Sequence, residues 1–557
     1  MVMLGPTLAG GQTEISTWAD LDNMRAGLSG SYVLMNDLGP DDPGYAEIAG
    51  PGANAGAGWA PIGTRSPYDP FTGSFNGQGF TITGLMMKPA GTGVWAGLFQ
   101  NTENASLRNL NMTDVDIVSD HPAGGLVASA LNTTMTNVHV SGSVMGSHSY
   151  VGGLVGLGTH AVITDCSTAG SVMSNRNQVG GLAGSISEST ITNVHSSADV
   201  TGLEGTGGAF GTVLNCTITG AQAEGPVQGS DSVGGLVGAT AGTTSISDGV
   251  ASGAVSGGRF VGGLVGHADN NTTLTDVRAS GRVTATDGAG GLAGRLVGSS
   301  QVSRAHASGR VEGETELGGL VGRAGGNASI SNACASGAVA GMGEEAGGLV
   351  GYALGGTSIS NCYARGAVSG TYAIGGLAGR AGSGVTISRS YSTGKITAMN
   401  DESGWWGGGG LVGYRESGTV ETAYWDTETS KTTESDGGTG LTTAQMLGSA
   451  AVESMAGFDF SSVWQAVGEG VPLNSIAPAE DGYPVLRALG IETQLQDPDP
   501  GPAIPPVSRA VGDFNGDGCT NFSDFIFLLE NWNVVFDGKA MGFPDFMAML
   551  ESWGLGC

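Results

Sequence analysis

The sequence predicts a mainly β chain: a parallel β-solenoid, or β-helix, of about 12 coils with capping regions, followed by a small all-α C-terminal module. Three observations predict it. A short string with two glycines and a leucine, such as Val151–Gly156 "VGGLVG", recurs at a nearly constant interval. The segments between copies are short, β-branched and broken by glycine. After Gly490 the composition changes, and two copies of a pattern of apolar residues at helical spacing follow.

The copies begin at Ala96, Gly124, Gly152, Gly180, Gly207, Gly234, Gly262, Gly290, Gly318, Gly347, Gly375 and Gly409. The steps are 27 to 29 residues, with a last step of 34. A fixed period of this size is the mark of a repeat architecture. The units lack the i, i+3, i+4, i+7 apolar spacing of a helix. Pieces such as Val162–Val172 "VITDCSTAGSV" alternate small or β-branched with polar residues, as short strands and corners do. One unit cannot bury its own apolar face, but stacked units can. Coils stacked ~4.8 Å apart would make a rod of about 55 Å. The leucines (Leu126, Leu154, Leu182, Leu236) then form an inward ladder. The paired glycines before each leucine take a left-handed corner or allow close backbone packing.

The repeats and their flanks resemble the GLUG-motif repeat of bacterial surface and secreted proteins, which include adhesins and some surface peptidases. Trp59–Gly63 "WAPIG" and Phe71–Leu85 resemble the usual lead-in, and Ala423–Ser430, Gly437–Met446 and Gly482–Leu486 the usual close. The resemblance spans about residues 13–490. It implies an extracellular solenoid and leaves the activity open. No His-Glu-x-x-His string is present, so the zinc peptidase of some relatives is not expected.

The expected boundaries are a leader remnant at 1–12, an N-terminal cap at 13–91, the solenoid at 92–423, a C-terminal cap at 424–490 and a Pro-rich linker at 491–508. In the N-terminal cap, Thr17 caps a helix through Trp18–Leu28, and Asn76-Gly77 turns the chain into the strand Phe80–Met87. At the other end Trp405, Trp406, Trp425 and Trp464 supply an apolar lid.

The remaining segment, 509–557, carries the one strong ligand pattern. Asp513, Asn515 and Asp517 stand at positions 1, 3 and 5 of a twelve-residue loop, with Gly518 at 6, Cys519 at 7, Asn521 at 9 and Asp524 at 12. Ca²⁺ takes six to eight oxygens, and this spacing folds alternate side chains onto one ion, with Cys519 contributing its carbonyl. "DFIFLLENW" at Asp524–Trp532 recurs as "DFMAMLESW" at Asp545–Trp553, each with one apolar helical face. The segment resembles a type I dockerin, an EF-hand-like calcium module that docks secreted enzymes on cohesin scaffolds. The resemblance implies a cohesin-like partner. The second loop departs from the pattern, with Val534, Phe536 and Gly538 at ligand positions and Lys539 where glycine should stand. One calcium site is therefore expected, and a Cys519–Cys557 disulfide would brace so small a module.

Other clusters read as structure. Cys166, Cys216 and Cys362 are aligned in one small apolar column with Val138, Val194, Val277 and Ala305. Cys334 falls one residue over and is expected on the opposite face. His139, His195 and His306 share the next column, never in adjacent coils. The charge-rich stretch Gly309–Gly319, with Arg282 and Arg310 in equivalent positions, reads as a solvated face. The chain has 50 acidic against 21 basic residues, a formal charge of −29, which argues against a nucleic-acid partner. No apolar run is long enough for a transmembrane helix. The function expected is adhesion, or matrix or glycan binding, by a secreted or cell-surface protein without catalytic residues. The alternatives are a polysaccharide-active enzyme or a component docked in a degradative complex.

Overall fold

The computed structural model describes residues 11–65, 68–89, 93–398, 408–467 and 482–489, and the backbone of 535–536 and 539–540. It divides into two units, Met1–Pro498 and Asp499–Cys557. The first is a parallel β-solenoid. Twelve strands, from Phe99–Glu103 to Val412–Arg415, form one parallel sheet in strict chain order. We number the coils 1 to 12 by these strands and call this sheet the front sheet. The other strands of each coil pair in register with those of the next around the remaining sides.

The glycines explain how thin coils can stack. Gly234, Gly235 and Gly238 all have ordinary backbone angles, so none is a left-handed corner. A Cβ on Gly235 would lie 2.0 Å from the carbonyl oxygen of Gly263 in the next coil. One on Gly234 would lie 2.0 Å from that of Val237, and one on Gly238 2.5 Å from the backbone of Gly205. Of the two roles expected for them, close backbone packing is the one found. The second glycine faces a column of alanines, Ala223, Ala251, Ala279, Ala307, Ala335 and Ala364, each paired with the next. The column ends in Ser392 and then Trp425, whose indole lies against Gly410.

The left-handed turns fall elsewhere. Asn109, Asn137, Asp165, Asn193, Asp248, Asp276, Asn332 and Asn361 recur at one corner with φ of 51° to 56°. Asn and Asp tolerate this conformation better than other side chains. Their side chains bond along the stack: Asn137 Nδ2 donates to Asn109 Oδ1 at 3.0 Å, and Asn193 Nδ2 to Asp165 Oδ1 at 3.3 Å.

The core is the leucine ladder with its neighbours. Leu98, Leu126, Leu154, Leu182, Leu236, Leu264, Leu292, Leu320, Leu349, Leu377 and Leu411 are fully buried. Ala209 takes the leucine's place in coil 5, and Phe210 beside it is also fully buried.

Parallel stacking already begins before the repeats. Gln12–Ile15 pairs with Ser31–Leu34, which pairs with Ser74–Asn76, which in turn pairs with Ser106–Ser119. Thr17 caps a helix with a reciprocal bond to Asp20, as expected, but the α-helix covers only Trp18–Asn23 and a 3₁₀ turn follows. Asn76-Gly77 forms a coil corner, since the strands on either side of it both pair parallel to Ser106–Ser119. At the other end Thr439–Leu441 adds one more parallel strand beside Tyr424–Asp426. A second apolar cluster joins Cys334, Tyr363, Tyr391 and Tyr424 on the outside of the coils to Met446, Trp464, Tyr483 and Leu486 of the cap.

No helix among the described residues is long and apolar enough to cross a membrane. In the second unit the described backbone is one antiparallel pair, Val535–Phe536 with Lys539–Ala540.

Candidate functional site

The third residue of each front-sheet strand points outward, away from the ladder. In coils 1 to 6 this column reads Asn101, Ser129, Leu157, Ser185, Thr212 and Ala239. In coils 7 to 12 it reads His267, Arg295, Arg323, Tyr352, Arg380 and Tyr414. The strands pair in the same parallel register in both halves, so the change is one of side-chain chemistry.

The second set forms two stacked groups, one around Tyr352 and one around Phe260. The Arg323 and Arg380 guanidinium carbons lie 5.3 and 4.9 Å from the ring centre of Tyr352, one coil away on either side. Arg380 lies 5.7 Å from the ring centre of Tyr414, whose ring is 6.2 Å from that of Tyr372. At the start of the column Phe260 lies 5.6 Å from His267, with Arg259 and Arg295 at 4.4 and 5.0 Å. Such contacts hold arginine heads in fixed orientations at little cost in hydration.

Carboxylates line one side. Glu316 and Glu345 stand in adjacent coils at left-handed backbone angles, φ 54° and 63°, where a glutamate is uncommon. Each is only 8% exposed. Arg323 donates to Glu316 Oε1, and Arg380 Nη1 to Glu345 Oε1 at 2.8 Å. Arg380 also reaches Glu416. Arg259 sits 3.9 Å from Asp231 and 3.4 Å from Asp287. Burial pushes the Glu316 carboxyl above the usual carboxylate range, against the pull of Arg323. Burial pushes the His267 imidazole down, and Arg295 adds to the effect.

Four buried polar atoms here have no hydrogen-bond partner among the described residues: His267 Nε2, Arg295 Nε, Glu316 Oε2 and Arg380 Nε.

The residues singled out from sequence fall differently. Asp513, Asn515, Asp517, Cys519, Asn521, Asp524 and Cys557 lie outside the described residues, as do Trp405 and Trp406. Arg282 and Arg310 both pair with Glu312 and are well exposed, a solvated face as expected. Glu316, in the same charge-rich stretch, lies instead beside the front column, bonded to Arg323. His139, His195 and His306 do share one column. His139 bonds Ser167 Oγ at 2.7 Å, and His195 lies 3.4 Å from Glu224.

Cys166 and Cys362 are buried free thiols, and Cys334 faces the opposite side, in the cap cluster. The placement of Cys216 requires correction. It precedes Thr217, which pairs with Thr190 and Ser245, so its column is that of Ser189 and Thr244. In that column Ser189 Oγ donates to Ser187 O at 2.6 Å and Thr244 Oγ1 to Ala241 O at 2.8 Å. Cys216 Sγ makes the equivalent contact to Leu214 O at 3.3 Å.

The front column is not visible as a motif in the sequence. The signal that finds it is the residue after each "GLVG" or "GLAG", which varies while its neighbours do not.

Residues 257–284 and 342–369 match the GLUG motif. A Gly-rich membrane protein of Evansella cellulosilytica is 36% identical over 118 residues, covering 21% of this chain. The chain spans 12% of that relative's length. Among solved structures, a Bacteroides ovatus protein described as an immunoglobulin A1 protease aligns over 87% of this chain and 94% of its own, at 13% identity and a TM-score of 0.28.

Proposed function

We propose that this is a secreted or cell-surface repeat protein that binds an extended glycan or matrix polymer along its coils, with a C-terminal calcium-stabilised module that docks or anchors it. The observation that carries the reading is the run of histidine, arginine and tyrosine side chains in one outward column across six consecutive coils. A regular stack presents such groups at equal intervals, which suits a ligand that itself repeats. The two GLUG matches and the membrane-protein relative fit an extracellular or surface location. The calcium module rests on the donor set of Asp513–Asp524, and a cohesin-like scaffold is the partner that its likeness to dockerins suggests.

A polysaccharide-active enzyme is the second reading. Glu316 and Glu345 in adjacent coils, with Arg323 and Arg380 beside them, are the grouping of carboxylates and arginines that such an enzyme needs. Binding to a glycan array, run beside an assay for shortened polysaccharide, separates the two. The proposed function expects retention without shortening. Shortening of any polysaccharide moves the protein to the second reading, and retention on no glycan removes both.

A further inference from the structure

We infer that the column His267, Arg295, Arg323, Tyr352, Arg380 and Tyr414 is the binding site itself, and that its ligand is a neutral, extended polysaccharide lying along the coil axis. The inference rests on the proposed glycan-binding function and adds the site and the ligand class.

Charge selects the class. Three arginines of this face, Arg259, Arg323 and Arg380, already hold carboxylates within the protein. Little uncompensated positive charge is left for uronate, sulfate or phosphate. The chain as a whole carries −29, which repels a polyanion. What the column offers instead is a row of half-buried tyrosine, histidine and arginine side chains, amphipathic groups that suit the apolar faces and hydroxyls of a neutral sugar. A sugar hydroxyl both donates and accepts, so it can bond to the phenol and guanidinium groups of the column.

Spacing selects an extended chain. The coils repeat every ~4.8 Å, close to the advance of one sugar unit in an extended pyranose chain. The column therefore meets successive units with equivalent groups. Its side chains are also held before binding. Tyr352 is flanked by Arg323 and Arg380, and Arg380 is fixed by Glu345 and Glu416. Preorganised groups lose little freedom when the ligand arrives.

The test is isothermal titration of the full chain with xylohexaose and cellohexaose, and with hexagalacturonate as the acidic probe. The inference expects at least one neutral hexasaccharide to bind, with hexagalacturonate weaker. Tyr352→Ala and Tyr414→Phe should each weaken binding, the first by about tenfold. Tyr414→Phe keeps the side-chain shape, so an unchanged melting temperature separates lost contacts from lost fold. Arg282→Ala, on another face, should bind as the parent does. Neutral binding that is equal in parent and variants would overturn this site while leaving the glycan-binding function standing. Tighter binding of hexagalacturonate would overturn the neutral class. If neither neutral nor acidic probe binds, the inference and the function it rests on both fall.

Discussion

Gly235 stands so close to Gly263 of the next coil that a methyl group on it would lie 2.0 Å from that residue's carbonyl oxygen. The contact is backbone to backbone, so no flexible side chain can yield. Gly235→Ala should therefore destabilise the stack by about 3 kcal/mol, the scale of overpacking in a rigid core. Chemical denaturation followed by circular dichroism measures it. A midpoint equal to the parent's would show that coils can separate freely, contrary to this account.

Leu236 is fully buried in the ladder beside that contact. Leu236→Ala should cost about 3 kcal/mol through lost burial and the cavity left behind. Leu236→Asp should not yield a folded chain, because it places an unpaired charge in the ladder. Soluble Leu236→Asp protein with the parent's β-sheet spectrum would contradict the inward ladder.

Cys216 occupies a serine/threonine position, so Cys216→Thr should change stability by less than about 1 kcal/mol and leave the fold intact. If Cys216 belonged with Val138 and Val194, a hydroxyl there would be costly. Thermal melts of the two proteins decide between these placements.

His306 is 3% exposed, and burial, with Arg278 and Arg365 adding to it, lowers its pKa to about 4. The groups facing it include Ser336, whose Oγ lies 3.3 Å from Nε2, and Cys334 of the next coil. An unfolded histidine titrates near 6.5. Between about 6.5 and 4 the unfolded chain thus binds a proton that the folded chain refuses, and stability falls as pH falls. The loss reaches up to about 3 kcal/mol once pH is below both values. His306→Gln should flatten that part of the melting-temperature profile from pH 7 to 4. A profile as steep as the parent's would assign the acid sensitivity to other groups.

Calcium titration of the full chain tests the C-terminal proposal. With Asp513, Asn515, Asp517 and Asp524 as side-chain donors, Asp517→Ala should reduce the stoichiometry by one ion. Asp537→Ala, in the second loop, should not. Three carboxylates favour the weak extracellular range of ~10⁻⁴ to 10⁻³ M. Equal stoichiometry in the parent and Asp517→Ala would remove the site.

The coil count and the leucine ladder are legible in the sequence because period and burial are the same signal: each leucine recurs where the stack must be closed. The role of the paired glycines is only half legible. Close approach and left-handed backbone both require glycine, and only the angles at Gly234 and Gly235 tell them apart. The sequence misplaces Cys216 because small apolar residues look alike: the column of Cys166 and Val194 continues at Ala221, and only the strand pairing shows it. The front column escapes for a related reason. His267, Arg323 and Tyr414 are ordinary surface residues until register puts them in line, and Glu316 is one charge among several until its burial is known.

Hydroxyl-radical footprinting of the full chain, with and without xylohexaose or cellohexaose, tests the central claim most directly, because histidine and tyrosine side chains report on their own coverage. The account predicts that the sugar lowers labelling at His267, Tyr352 and Tyr414 and leaves Tyr68, Tyr150 and Met342 unchanged. Unchanged labelling at the three column residues under saturating sugar, or protection found only elsewhere, would contradict it.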